Sequence, residues 1–200
     1  KAVIAGCSTS GEILGEQVSD GTISLTAIFF EKTTVKLAIE PISKASPTSL
    51  VSGQQLATQL LSEDLRHVLV FSEGIDVNGG ELVEGLYSVL EKNASVTGGL
   101  AGDGANFNET FVVANGEKLL NSVIGIGFYG ASLKVGFGSR AGWDSFGVDR
   151  LVTRSENNVL YELDGEPALK LYKTFLGKQA KELPSSGLLF PLSMRISEDQ

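Results

Sequence analysis

The sequence predicts an α/β protein, with α+β as the alternative, built from mixed sheets with flanking helices and arranged as two pseudo-repeated halves. Three observations lead there. Short β-branched apolar runs crowd the opening third; an apolar strand, an amphipathic stretch and a second strand follow one another from residue 67 to residue 99; and motif order repeats at a spacing of roughly 93 to 95 residues. Strand, helix, strand in succession implies a right-handed crossover between parallel neighbours.

Opening strands are expected near residues 2–5, 23–30 and 35–42, with Asp20-Gly21 as a tight hairpin turn. In SPTSLVSGQQLATQLLSED the period becomes helical, placing Leu50, Gln54, Ala57, Leu60 and Leu61 near one face, with Ser46 or Thr48 as the cap. HVLVFSEG (67–74) is a continuous apolar strand closed by glycine. GELVEGLYSVLEKN (80–93) then sets Leu82, Val83, Leu86, Val89 and Leu90 at helical spacing. SVTGG opens into a glycine-rich loop, FVVANGEKLL carries Asn115-Gly116 at a hairpin turn, and VIGIGFYG and LKVGFGSR form a further pair of strands. In DGEPALKLYKTFLGK, Pro167 suits a helix's first turn and Gly177 the position past its end, with Leu169, Tyr172, Phe175 and Leu176 sharing a face. The repeat matches a strand ending in glycine (3–6 with 96–99), a small-residue loop, an Asx-Gly hairpin and two apolar strands.

Composition narrows the function classes. An apolar share of 42% and a charged share of 20% over 200 residues suffice for a buried core. A net charge of -8, without clustered Lys and Arg, argues against nucleic acid as a partner. No run approaches the roughly 18 apolar residues of a membrane span, so no membrane partner is expected. Cys7 is the only cysteine, which excludes an internal disulfide and a cysteine-based zinc site within one chain and fits a reducing, cytoplasmic setting. Neither a metal nor another cofactor is expected, since no clustered His or carboxylate ladder is present. KAVIAGC reads as a strand and not a signal peptide, with an upstream element expected before it.

Glycines at the carboxyl end of a strand let the backbone take positive φ and turn several N–H groups toward a bound oxygen. GCSTSGE offers Gly6, Cys7, Ser8, Thr9, Gly11 and Glu12 in this way; GGLAGDG offers Gly98, Gly99, Ala101, Gly102 and Asp103. FSEGID (71–76) borders the same place if its strand is parallel to these. The first loop has the spacing of a phosphate-binding loop, but Glu12 stands where lysine should be and a hairpin follows it, so a nucleotide triphosphate is not expected. Asp103 and Glu12 suit a ligand with both a carboxylate and an ammonium, such as an amino acid. The other reading gives Asp103 to its own turn and Glu12 to solvent.

Cys7 is either a nucleophile on a sharp elbow or a small packed residue. The second is preferred because the one histidine, His67, belongs to a different strand and reads as a surface residue or cap; the chain is therefore not expected to be an enzyme. Trp143 either stacks on a ligand or packs, and Arg140 either pairs with an anionic ligand or makes a rim salt bridge.

GCSTSGEI (6–13), VTGGLAGDGANFNETFVV (96–113), RAGWDSFG (140–147) and LYELDGEPALKLYKTFLG (160–177) are similar, in order and wording, to the successive signatures of FIST domains. That resemblance implies a small-ligand sensory domain of intracellular signal transduction in bacteria and archaea, with amino acids the ligand class and a downstream signalling protein as output. It also implies a domain over residues 1–180, truncated at its start where the family carries a further strand and helix. Residues 181–200 are then a linker and the beginning of a truncated companion C-terminal FIST domain, which LLFPLSMRI resembles. Asp144-Ser145-Phe146 departs from the family's pattern in lacking the proline that often follows the Gly-Trp pair. Two rival readings stay open beside the sensor: an enzyme using Cys7, and a protein-interaction module without a small ligand.

Overall fold

The strand–helix–strand run folds as its pattern requires, in a computed structural model that describes residues 2–42, 49–90, 94–139 and 142–195. Two units are distinguished, Lys1–Phe137 and Gly138–Gln200. In chain order the first holds β1 (Ala5–Cys7), β2 (Glu12–Leu14), β3 (Gln17–Ser19), β4 (Thr34–Pro41), α1 (Ser49–Leu60), β5 (Leu65–Ser72), α2 (Gly79–Leu90), β6 (Ser95–Leu100), β7 (Val112–Ala114), β8 (Glu117–Leu119) and β9 (Ser122–Tyr129).

The main sheet has the order β4-β9-β5-β6, with β5 and β6 parallel and β9 antiparallel to both of its neighbours. A smaller antiparallel sheet, β1-β7-β8, packs on one of its faces, where Val112, Ala114 and Ile124 meet Ala5, Cys7, Leu37, Phe71 and Leu119. The other face carries α1 and α2 over the larger core, which includes Leu56, Leu60, Val68, Leu82, Leu86, Leu90 and Val123. The mixed α and β content with flanking helices is therefore as the sequence predicts.

β9 shows why this packing needs its particular sequence. Along VIGIGFY, large residues alternate with Gly125 and Gly127, as strand geometry requires when the two faces differ. A Cβ on Gly125 would sit 2.8 Å from Leu60 Cδ1, so only glycine lets α1 come down onto the strand. Over Gly127 lies the ring of Tyr129, whose hydroxyl donates to the Leu60 carbonyl at 2.7 Å and satisfies one orphan group at the end of α1. The two helices touch through a second pair of glycines. A Cβ on Gly53 would overlap the Leu82 carbonyl, and one on Gly85 the Leu50 carbonyl.

Several expectations change. The helix at 49–60 forms, but its buried residues are Ser52, Gly53, Leu56, Ala57 and Leu60, while Leu61 lies past its end and is exposed. Its expected caps, Ser46 and Thr48, lie outside the described residues. In α2, Val83 is exposed and Gly85 takes a place on the buried face, because backbone contact with α1 selects small residues there. The first hairpin turns at Gly15-Glu16, between Leu14 and Gln17, and not at Asp20-Gly21. Gly15 supplies the positive φ of 63° that a two-residue turn needs at its first central position. The second hairpin turns at Asn115-Gly116 as expected, both at positive φ. Residues 23–30 and 133–139 form no strand, because an apolar run becomes a strand only where a neighbour pairs with it. The repeat is therefore visible in β1 and β6 and in the two hairpins, whereas β4 and β9 form without their counterparts at 133–139 and 23–30.

The second unit holds β10 (Val152–Glu156), β11 (Val159–Leu163), β12 (Glu166–Pro167) and α3 (Ala168–Leu176), followed by 3-10 turns at Gly177–Glu182 and Ser185–Leu188. Its three strands form an antiparallel meander, and Asp164-Gly165, both at positive φ, makes the second turn. Pro167 precedes the helix and Gly177, at φ 57°, ends it by donating to the Lys173 carbonyl. Of the face expected on α3, Tyr172 and Leu176 are half-buried, whereas Leu169 and Phe175 are exposed.

Gly85→Ala tests the helix contact. Alanine's better helix propensity gains at most about 1 kcal/mol, while forcing a methyl against the Leu50 backbone costs roughly 1–3 kcal/mol. The expected outcome is a net loss of stability, read as a lower urea midpoint with unchanged slope.

Candidate functional site

Three loops meet in the first unit, at the carboxyl ends of β1, β5 and β6. Ser8 anchors the first: its N–H donates to the Phe111 carbonyl at 2.9 Å and its Oγ accepts the Phe111 N–H at 3.1 Å, which prolongs the β1·β7 ladder by one residue. From there the two glycine-rich segments are joined directly. Gly102 N–H donates to the Ser8 carbonyl at 3.0 Å, and Gly104 N–H to Ser10 Oγ at 3.2 Å. A Cβ on Gly102 would overlap the Ser10 hydroxyl, so this glycine is required by close approach.

The third loop closes on the second. Ala101 N–H donates to the Ser72 carbonyl at 2.7 Å, and a Cβ on Gly74 would overlap the Ala101 carbonyl. Gly74 N–H in turn donates to Thr110 Oγ1 at 2.8 Å. Glu73 was not singled out from the sequence, yet it shapes this loop: the buried carboxylate accepts the N–H groups of Ile75 at 2.9 Å and Asp76 at 3.0 Å. The signal was its place straight after an apolar strand, where a buried carboxylate must find N–H donors.

Gly98 and Gly99 lie inside β6, which runs on to Leu100, so the second loop proper is Ala101–Gly102–Asp103–Gly104. A Cβ on Gly98, at φ 157°, would overlap the Val70 carbonyl. Gly6 and Cys7 likewise lie in β1, Thr9 is exposed on the loop, and Gly11 stands at φ 141° just before Glu12. Both loop carboxylates are engaged by their own turns. Asp103 accepts the N–H groups of Phe107, Asn108 and Glu109 at 3.0, 2.7 and 3.1 Å; these bonds, that to Asn108 foremost, hold its carboxyl below its ordinary pKa. Glu12 accepts from the Thr9 hydroxyl and, at 3.0 and 2.6 Å, from the Thr22 N–H and hydroxyl; the Thr22 hydroxyl does most to lower its pKa. An ionised carboxylate has about four acceptor positions. Glu12 therefore keeps roughly one beyond its three bonds, whereas the Asp103 carboxylate also interacts with its own backbone N–H.

Cys7 is half-buried against the smaller core, and burial pushes its thiol pKa up, which keeps it neutral. His67, expected at the surface or as a cap, is instead buried in β5 between Ser95 Oγ at 2.8 Å and Thr97 Oγ1 at 2.9 Å on the neighbouring strand. Trp143 is exposed in the second unit, and Arg140 lies outside the described residues. No described helix is long and apolar enough to cross a membrane.

A family model described as the FIST N domain matches residues 1–166. The chain belongs to the FIST family. It is also similar to "Uncharacterized protein MJ1623" of the archaeon Methanocaldococcus jannaschii, 23% identical over 192 residues that make up 89% of this chain and 36% of that protein. The FIST chain thus spans about a third of the length of this curated relative. No solved structure matches it.

Two outcomes check these assignments. Asp103→Asn removes the charge from three hydrogen bonds, and the amides of Phe107, Asn108 and Glu109 should then exchange faster in hydrogen–deuterium exchange while core amides keep their protection. For His67, burial lowers the folded pKa below the ordinary 6.5, so the unfolded chain binds the extra proton first as pH falls. Stability is full above pH 6.5 and declines as pH drops from there through the lowered folded value. Denaturation midpoints between pH 8 and pH 5 should show a decline that His67→Gln reduces.

Proposed function

We propose that this FIST chain is the ligand-sensing part of a signal-transduction protein and that it holds a small polar metabolite, with amino acids the leading class, at the junction of its glycine-rich loops. One observation carries the reading: loops from both halves meet at the carboxyl ends of β1, β5 and β6, joined by bonds from Gly102 to Ser8 and from Gly104 to Ser10. In sheets with parallel neighbours, such ends are the usual seat of a ligand. Exposed backbone of the kind found at Thr9, Ser10 and Gly104 supplies polar groups to a carboxylate or hydroxyl. The negative charges of Asp103 and Glu12 suit an ammonium, and their lowered pKa values keep both charged near neutral pH.

Binding is favoured over catalysis by the state of Cys7. Its burial favours the neutral thiol, and His67 already has both ring nitrogens paired with hydroxyls across the β5·β6 ladder. Output then belongs to the companion C-terminal FIST domain and a downstream signalling partner in the cytoplasm, driven by the ligand's differential affinity for two arrangements.

A thermal-shift series with free amino acids, dipeptides and nucleotides tests the reading. A ligand at a hundredfold its Kd adds about 2.7 kcal/mol to the native state, so at least one amino acid should raise the midpoint, and Asp103→Asn should lower that ligand's affinity. A flat response across the whole panel would sink the proposal.

A further inference from the structure

The largest anomaly in the first unit is an apolar run left in solvent: within residues 22–30, Ile23 is 92% exposed, Leu25 84% and Phe29 88%. A second run, residues 133–137, exposes Val135 and Phe137. The two leave the same rung of the main sheet. Thr34 faces Tyr129 at the end of the antiparallel β4·β9 ladder; residues 22–33 lead into that rung and residues 130–137 lead out of it, so they run in opposite directions. They are adjacent where they start. The rings of Phe30 and Phe128 meet edge-on at 5.7 Å, and a Cβ on Gly130 would lie 3.0 Å from the Lys32 carbonyl oxygen. Both chains also bend there, at Glu31-Lys32 and at a turn closed by Leu133 N–H on the Gly130 carbonyl at 3.1 Å, as strands do when they pass from one sheet to another.

The internal repeat supplies the partner. TVKLAI, residues 34–39, lies within β4, and SLKVGF, residues 132–137, reproduces it: Val35, Lys36, Leu37 and Ile39 correspond to Leu133, Lys134, Val135 and Phe137, each 98 residues later. β4 pairs with β9, so the copy of β4 should pair with the counterpart of β9, which is the apolar run after the first hairpin. That run is tethered at both ends, by the bonds from Thr22 to Glu12 and by the rung at Thr34. A short tether leaves little loop entropy to lose on closure.

We propose that residues 22–30 and residues 133–137 close onto each other as an antiparallel strand pair, a counterpart of β4·β9 that the structure holds open. Continuing the register of the existing ladder sets Phe30 opposite Leu133 and Ile28 opposite Val135. The pairing brings the apolar side chains of two exposed runs into cross-strand contact, and it reels in a segment whose first residue is bonded to Glu12 of the first glycine loop. Closure is thereby linked mechanically to that loop, whatever ligand it holds.

Full-length chain carrying Cys7→Ser, Ile28→Cys and Val135→Cys should form an intramolecular disulfide under mild oxidation, whereas Cys7→Ser with Ile23→Cys and Val135→Cys should stay reduced. In the unsubstituted chain, amides of both segments should exchange at least about tenfold more slowly than open coil, and should keep that protection on dilution. Coil-rate exchange in both segments overturns the proposal. So does protection that disappears on dilution together with a dimer seen by sedimentation, since the pairing would then lie between copies.

Discussion

Everything in the first unit hangs on β9. It is the one strand with a neighbour on each side that comes from earlier in the chain, β4 on one edge and β5 on the other, and its residues are buried along nearly its whole length. A strand covered on both faces must satisfy α1 on one side and the β1-β7-β8 sheet on the other. Its sequence does so by alternating glycine with large apolar residues, which trades side-chain volume for close approach of the helix. The same strand also interleaves the two halves. β4 of the first half pairs with β9 of the second, just as β1 of the first pairs with β7 of the second. Neither half can therefore assemble its sheets alone.

That interleaving explains why the two glycine-rich loops meet. β1 is fixed to β7, β7 lies against β9, and β9 positions β5 with its parallel partner β6, so the ends of β1 and β6 are brought together by sheet geometry. What the loop sequences add is the absence of side chains at contact points, as at Gly74 and Gly102. Their polar residues serve the loops first. Asp103 and Glu12 each accept three N–H or O–H bonds and Glu73 those of two N–H groups from their own neighbourhoods, which is the usual fate of a short-range carboxylate beside turn N–H groups.

How much of this was legible follows from the range of the forces involved. β5, α2, β7, β8 and the Asn115-Gly116 turn were readable because local periodicity and a left-handed turn requirement fix them within a few residues. The Gly15-Glu16 turn was missed in favour of Asp20-Gly21 because both sites have suitable chemistry, and only the pairing of Ile13 with Val18 chooses between them. His67 was misplaced for a comparable reason. A histidine at the start of an apolar strand looks like an exposed terminus unless the neighbouring strand offers hydroxyls, and Ser95 and Thr97 lie 28 and 30 residues away. Asp103 was legible only as a choice between ligand and turn, since the three N–H groups it binds follow it directly in sequence and a ligand leaves no mark there.

The loop junction itself has two layers of different strength. The inner layer joins Ser8 to Phe111, Ala101 to Ser72 and Gly74 to Thr110, all against the sheets and partly shielded from water. The outer layer joins Ser10 to Gly104, Thr9 to Glu12 and Asp103 to its turn, all exposed. Exposed hydrogen bonds open at a small fraction of the global unfolding free energy, whereas those tied to core strands open only with the fold. A bound metabolite can shift populations only among states that are thermally accessible. On the proposed sensing role, the outer layer is the part that a ligand would move and the inner layer its rigid frame, and Glu12, which bonds both to Thr9 in the loop and to Thr22 beyond the first hairpin, ties that layer to the chain beyond it.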